Sequence, residues 1–297
     1  MATGNKVAVV TGSSRGIGKA SSIHLARKGF DVVICARTIQ EGEAFEHSST
    51  VKKSNTKPIP GSLESTAAEI RKLGRRVLTV KADLLKREDL KRLVDTTMAE
   101  FGRIDVLVNN ARYIGPGHMD LFIDTPIELF DDHFACNVLA PLYLMKLAVP
   151  VMMKQGGGII INLSSGAGYR EVGTGMPGEL GGIGLGYGVS KAAFNRIAAG
   201  LAKELREHKI AVINLDPGYV STERMKTDMA AFGRDSSKGA SLDVPASVCA
   251  FLATYPYPMF YSGQEVFAPN FAMEHSLVDP KQLPATLAPS TWGLPRA

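Results

Sequence analysis

The sequence predicts an α/β protein, a three-layer sandwich with a central parallel sheet of about seven strands between two layers of helices. Two observations predict it. Short β-branched runs alternate with helix-length segments whose apolar residues recur every three or four positions. The composition, 45% hydrophobic and 21% charged over 297 residues, supports a buried core and argues against disorder.

The elements follow in order. Lys6–Val10 is the first strand, and Gly16–Arg27 is a helix that Gly29 stops. Asp31–Cys35 is the second strand. Ser62–Leu73 places Leu63, Ala67, Ile70 and Leu73 on one helical face, and Gly74 follows. Val77–Val80 is the third strand. Glu88–Phe101 carries Leu90, Leu93, Val94, Thr97 and Phe101 on one face, before Gly102. Ile104–Val108 is the fourth strand, and a long helix runs over Ile127–Met153. Gly158–Leu163, Ile210–Asn214 and Gly263–Phe267 are strands five to seven, with a helix over Tyr187–Arg206. Three stretches break the rhythm: the polar loop Thr38–Gly61, the glycine-rich Gly166–Gly186 and a polar tail from Ala272. Loops of that length in a compact domain are functional or disordered. The expected organisation is a single domain over 1–270 with a C-terminal tail over 271–297.

Composition also excludes function classes. The net charge of +5 is modest, and Lys52–Lys53 is a short solvated pair, so no nucleic-acid surface is expected. Cys35, Cys136 and Cys249 are odd in number and far apart, which fits neither a disulfide framework nor a zinc site. The first strand begins too early for a signal peptide, and no membrane-length apolar run is read. A soluble, cytoplasmic protein without a membrane partner is the expectation. The six histidines lack metal-ligand spacing, and Trp292 stands alone in the tail, where it could serve as an anchor.

The first strand runs into Thr11-Gly12-Ser13-Ser14-Arg15-Gly16-Ile17-Gly18, and a helix follows. Glycines there permit a tight turn and let backbone N–H groups approach a pyrophosphate at the helix N-terminus. The second strand ends in Cys35-Ala36-Arg37. A carboxylate would accept from the ribose 2′-hydroxyl of NAD, whereas two guanidiniums, Arg15 and Arg37, suit the 2′-phosphate of NADP(H). Two solvated arginines are the alternative.

Tyr187 and Lys191 lie four residues apart on a helix and so share a face. An ammonium near a phenol favours the phenolate, and such a phenol can protonate a carbonyl oxygen or deprotonate an alcohol. Ser164 and Ser165 end the fifth strand, at the sheet edge where ligands bind. Pro141 offers no N–H to the carbonyl of Asn137, four residues earlier, which leaves either a carbonyl free to hold a water or a simple kink around a core Asn.

In this order, the glycine turn, Asn109-Asn110-Ala111, Ser164-Ser165, Tyr187-Gly-Val-Ser-Lys191 and Pro217-Gly218-Tyr219-Val220-Ser221-Thr222 resemble the short-chain dehydrogenase/reductase family, with its TGxxxGxG and YxxxK motifs. The resemblance covers most of the chain, from Lys6 to Thr222 and more weakly Ser262-Gly263-Gln264. It implies a Rossmann-type fold and an NADP(H)-dependent oxidoreductase acting on a carbonyl or alcohol substrate. It implies catalytic roles for Asn137, Ser165, Tyr187 and Lys191. Cofactor contacts are implied for Gly12 through Gly18, Arg37, Asp83, Leu84, Asn109, Asn110, Ala111, Tyr187, Lys191, Pro217, Gly218, Val220 and Thr222. Asp83 can also be read as a helix cap. The family's short members are commonly dimers or tetramers, so a homodimer or homotetramer is implied. A substrate loop is implied over Ser221–Ser241.

The sequence departs from the family at Arg112, which stands where the glycine of NNAG is expected, and in the two long loops. Ala268-Pro269-Asn270 replaces the usual glycine pair after the last strand. The Pro-rich loop after Arg37 is similar to the hydroxysteroid dehydrogenase-like branch. Arg112 either binds an anionic group or points to solvent. A non-catalytic dinucleotide-binding protein is the alternative class, and the complete Asn/Ser/Tyr/Lys set argues against it. An epimerase or dehydratase would need a larger C-terminal domain.

Overall fold

The computed structural model describes residues 4–169, 183–231 and 238–284. Its elements are β1 (Val7–Thr11), α1 (Gly16–Arg27), β2 (Asp31–Ala36), α2 (Leu63–Lys72), β3 (Val77–Lys81), α3 (Arg87–Phe101) and β4 (Val106–Asn109). Then come α4 (Ile127–Phe134), α5 (Ala140–Gln155), β5 (Gly158–Leu163), α6 (Leu185–Glu204), β6 (Ile210–Asp216), α7 (Glu223–Ala231), α8 (Asp243–Thr254), β7 (Glu265–Phe267) and α9 (Ala268–Glu274). The sheet has seven strands in the order β3-β2-β1-β4-β5-β6-β7. Every pairing is parallel. Strand order reverses between β1 and β4, which opens a crevice at the carboxyl edge of the sheet.

The strands read as continuous apolar runs because both sheet faces are covered. β1, β2 and β6 are buried along their whole length. Successive side chains point to opposite faces. Ala8, Val10, Val32 and Ile34 thus pack with Leu25, Ile70 and Leu252 of α1, α2 and α8. Val7, Val9, Val33 and Cys35 pack with Leu90, Leu144 and Ala198 of α3, α5 and α6.

Several features differ from the sequence reading. The expected long helix is helical throughout, but residues Ala135–Leu139 form a π-helical turn. The Ala140 N–H reaches back to the Ala135 carbonyl there. Pro141 cannot supply its N–H to the ladder, and the wider turn lies directly before it. Residues Ile127–Gln155 are also long and apolar enough to cross a membrane by length and composition, with a mean hydropathy of 1.6, contrary to the expectation of no such run. In this fold Leu144, Met145, Ala148 and Met152 of that helix are buried in the core beneath the sheet.

Three further helices, α7, α8 and α9, went unread. α8 buries Val244, Val248, Cys249 and Leu252, and α9 buries Phe271 and Ala272. The division expected at 270/271 therefore falls inside a helix that packs on the core, and the tail does not start at Ala272. Within the expected substrate loop, Val220 pairs with Ala240 and α7 rises between them. The rest of that loop, residues 232–237, and Trp292 lie outside the described residues.

Candidate active site

The phosphate-type turn is built by close backbone approach. Gly12 has φ +72, and a Cβ on Gly18 would stand 2.2 Å from the Gly12 carbonyl oxygen, so no other residue fits at 18. Asn110 Nδ2 donates to the Thr11 carbonyl at 2.7 Å, and Thr11 Oγ1 accepts from the N–H groups of Asn110 and Ala111. α1 begins without a side-chain cap and without an acidic residue in its first turn. Its leading N–H groups and positive dipole end are thus left for an anion. Ser14, Arg15, Gly16 and Ile17 line the cleft that opens here, a cavity of about 290 Å³. Ser13 instead turns inward, donating to the Val10 carbonyl, and is fully buried.

The loop 38–61 crosses this cleft as a strap, and Glu43, Phe45, His47, Lys57 and Ile59 line it. Arg15 clasps the strap: Nη2 donates to the carbonyls of Ile59 (3.0 Å) and Gly61 (2.7 Å), and Nε to that of Pro60 (3.0 Å). Those bonds commit much of a guanidinium that the sequence reading offered to a phosphate. Arg37 lines the cleft and sits over the Phe45 ring, 5.1 Å from its centroid. At its far end the strap anchors on the other side of the cleft. Thr50 Oγ1 and the Val51 N–H both donate to Asp120, and Arg224 Nη2 donates to Ser49 Oγ. Carboxylates shape the strap from within. Partial burial pushes the Glu46 carboxyl up, but hydrogen bonds from Ser54, Ser48 and Asn55 outweigh that and bring it to about 2.

Asp83 and Leu84 line the cleft beyond β3. Asp83 Oδ1 accepts from Leu85 N–H, so it shapes the turn, while Lys86 is the residue that precedes α3. Asn109 is buried and donates to Asn162 Oδ1 across β4 and β5 at 2.9 Å. The strand register extends this pair to Asn214 and Glu265, a polar ladder near the carboxyl edge. Asn109 braces the sheet and does not line the cleft.

Tyr187 and Lys191 line the same cleft as the glycine turn. Lys191 is buried and donates to the Leu163 carbonyl at 2.7 Å. Burial, then the nearby Arg112 charge, lowers its ammonium to about 7, with Asp216 opposing. The Lys191 Nζ lies 6.0 Å from the Tyr187 ring centroid. Asn137 holds this corner together: its Oδ1 accepts the Tyr113 N–H at 2.7 Å and its Nδ2 donates to Ser190 Oγ at 2.9 Å. It fixes the loop after β4 to α6, three residues from Tyr187, without itself lining the cleft.

The two serines separate by donor use. Ser164 lines the cleft and donates its hydroxyl to Glu265 at 3.0 Å. Ser165, the serine expected to be catalytic, does not line the cleft; its Oγ accepts the Ala167 N–H at 3.2 Å, which leaves its own O–H proton to give. Beyond β6, Pro217 and Thr222 line the cleft. Thr222 Oγ1 also accepts from Met225 N–H at the start of α7. Gly218, with φ +68, turns the chain away, and Val220 is buried in the core.

Several residues in and around the cleft were not read from the sequence. His118 stands edge-on to Tyr187, with centroids 4.8 Å apart. Behind it, His133 packs against Tyr113 at 4.6 Å. Burial pulls His133 down to about 4, and His118 well below the ordinary range. Tyr113, Cys136, Glu223 and Arg224 line the cleft. Only the length of the loop after Arg37 signalled the strap, and only the missing glycine signalled Arg112, whose guanidinium lies 5.4 Å from the Tyr187 ring centroid.

Known proteins match this arrangement. The short chain dehydrogenase family model matches residues 6–61 and 56–231. A mouse protein, dehydrogenase/reductase SDR family member 1, is 30% identical over 299 residues, covering 92% of this chain and 83% of that protein. A crystal structure of a metagenomic short-chain oxidoreductase in complex with NADP superposes with TM-score 0.66 at 30% identity, over 89% of this chain and 96% of that one. The structure of 7α-hydroxysteroid dehydrogenase with NADH and 7-oxo glycochenodeoxycholic acid gives TM-score 0.70 at 26% identity, over 88% and 92%. The chain belongs to the short-chain dehydrogenase family, oxidoreductases that act on alcohol and carbonyl carbons with a nicotinamide cofactor.

Proposed function

We propose that this protein is an NADP(H)-dependent reductase or dehydrogenase of a carbonyl or secondary-alcohol carbon, with Tyr187 as the acid/base. The observation that carries the reading is one cleft lined by the glycine turn, Arg37, Tyr187 and Lys191. The residues present fit a dinucleotide. The uncapped start of α1 suits a pyrophosphate. Gly16, at φ +58, holds a backbone conformation that favours glycine and faces Thr222 and Glu223 across the cradle. The end of β2 bears no carboxylate, and Arg37 makes no ion pair among the described residues, which favours a 2′-phosphate over a bare ribose. Glu43, the nearest acidic lining residue in sequence, is engaged by the N–H groups of Ile39 and Gln40.

When bound, the nicotinamide supplies or accepts the hydride. In reduction the Tyr187 hydroxyl gives its proton to the carbonyl oxygen as that oxygen gains charge. Ser165 donates a hydrogen bond to the same oxygen and orients it. Lys191 places positive charge near the phenol, and Asn137 positions the corner through Tyr113 and Ser190. The Asn137 carbonyl, denied an N–H by Pro141, holds a water through which the proton is replaced from solvent. Oxidation runs the same steps in reverse. The protein acts in the cytoplasm as a homodimer or homotetramer. Exposed Leu139 and Met153 on the long helix, with Leu185 and Val189 on α6, supply apolar surface for that assembly.

The test is a fluorescence titration of the folded protein with NADPH and with NADH. Tight NADPH binding that weakens on Arg37→Ala supports the reading. Equal binding of both cofactors would remove the NADP(H) preference. No binding of either would favour a non-catalytic member of the fold.

A further inference from the structure

The Tyr187 end of the cleft concentrates positive charge. Arg112 lies over the Tyr187 ring at 5.4 Å and donates one hydrogen bond, from Nη1 to the neighbouring Tyr113 carbonyl. A guanidinium has five N–H donors. Among the described residues Arg112 forms no salt bridge, and it is only partly exposed. Arg224, on α7, is 6% exposed and lines the same cleft, where the strap residue Ser49 accepts from its Nη2. Lys191 is the third cation.

Three carboxylates line the cleft. Glu43 belongs to the strap and Asp83 to the end of β3, and Glu223 faces Arg15 electrostatically. Asp216, outside the lining, acts on Lys191 and favours its ammonium, and no salt bridge among the described residues engages Arg112. His118, packed edge-on against Tyr187, is held neutral by burial and then by the charges of Arg112 and Arg224, so it adds no charge. The Arg112 guanidinium, partly desolvated and with one hydrogen bond of its five donors made, is costly to hold there unless an anion completes it.

We infer that Arg112 is a specificity-determining residue for an anionic substrate, an oxo- or hydroxy-carboxylate whose carboxylate it grips with the reacting carbon turned to Tyr187. The inference rests on the oxidoreductase reading and narrows its substrate class. The planar fork of Arg112 matches the two carboxylate oxygens, and its stacking on Tyr187 fixes where that grip lies relative to the phenol. Arg224 contributes long-range attraction from α7.

The test pairs each acid with its uncharged twin: benzoylformate with methyl benzoylformate, and acetoacetate with methyl acetoacetate. Binding is measured by calorimetry on the whole protein, with and without NADPH, and NADPH oxidation is followed in parallel. The wild type is expected to bind the acids at least about tenfold more tightly than the esters. Arg112→Gln is expected to collapse that ratio toward one. Arg112→Lys, which keeps the charge and the packing but loses the fork, is expected to fall between. Equal affinity of the wild type for acid and ester overturns the inference. So does an unchanged ratio in folded Arg112→Gln or Arg112→Lys, and so does a weaker NADPH affinity with an unchanged ratio, which would assign Arg112 to the cofactor. Arg112-dependent acid binding without any NADPH oxidation would uphold this site while overturning the proposed reaction.

Discussion

The buried ammonium of Lys191 donates to the Leu163 carbonyl at 2.7 Å, tying α6 to the end of β5 with Nζ 6.0 Å from the Tyr187 ring centroid. The same burial that positions this amine makes its charge costly. An unfolded lysine keeps its proton to about 10.5, whereas the native one gives it up near 7. Between those values the unfolded chain binds more protons, so native stability rises with pH. Denaturant midpoints of the wild type should climb from pH 7 to 8.5, and Lys191→Met should flatten that slope. The same variant should lose carbonyl reduction by roughly 100-fold or more.

Arg112 is the second cause, after burial, of the lowered Lys191 value. Removing its charge lets the ammonium persist to higher pH. In Arg112→Gln the descending alkaline limb of kcat should move upward, while Arg112→Lys leaves it near the wild-type position. A limb that stays in place in both variants would show that Arg112 does not act on Lys191.

Arg15 and Arg37 should separate experimentally, although both are arginines at the same end of the cleft. Arg15 spends Nε and Nη2 on the carbonyls of Ile59, Pro60 and Gly61. Arg15→Ala should therefore loosen the strap, speed proteolysis within 38–61 and weaken NADPH and NADH alike. Arg37→Ala should weaken NADPH by roughly tenfold or more and spare NADH, because it removes a charge-assisted bond to one phosphate. Limited proteolysis and paired titrations check both outcomes.

His133 is fully buried against Tyr113, and neither ring nitrogen has a partner among the described residues. Its native value of about 4 lies below the 6.5 of an unfolded histidine. Below 6.5 the unfolded chain takes up a proton that the native ring refuses, so stability is present above 6.5 and lost as pH falls toward 4. The melting temperature of the wild type should drop from pH 7 to pH 5, and by less in His133→Leu.

Gly18→Ala tests the turn itself. The new Cβ would meet the Gly12 carbonyl oxygen at 2.2 Å and Asn110 Nδ2 at 2.5 Å. Backbone must shift, at a cost of about 1–3 kcal/mol. Dinucleotide affinity should fall together with thermal stability, both readable in one melting series with and without NADPH.

The layered fold was legible because its signals are local. The apolar runs and the helical periodicities lie within single elements, and all seven strands appear within two residues of their expected bounds. α8 escaped because Val244, Val248, Cys249 and Leu252 are followed and preceded by more apolar residues. A helix buried on several sides shows little contrast between faces. α9 escaped because Pro269 and a short apolar stretch resemble a loop. The π-helical turn was only half legible: Pro141 announces a missing hydrogen bond, but not the wider turn before it.

The sequence by itself determined the order of the sheet segments, the glycine turn and the placing of Tyr187 and Lys191 on one helical face, since each depends on spacing within a few residues. Tertiary structure alone decided what those groups meet. It gave Arg15 to the strap and the Ser164 hydroxyl to Glu265, 101 residues away. It set His118 and Arg112 against Tyr187 and joined Arg224 to Ser49 across 175 residues. Such contacts arise when the parallel sheet gathers its carboxyl-edge loops at one crevice, and no local pattern in the chain encodes which loop residues will face each other there.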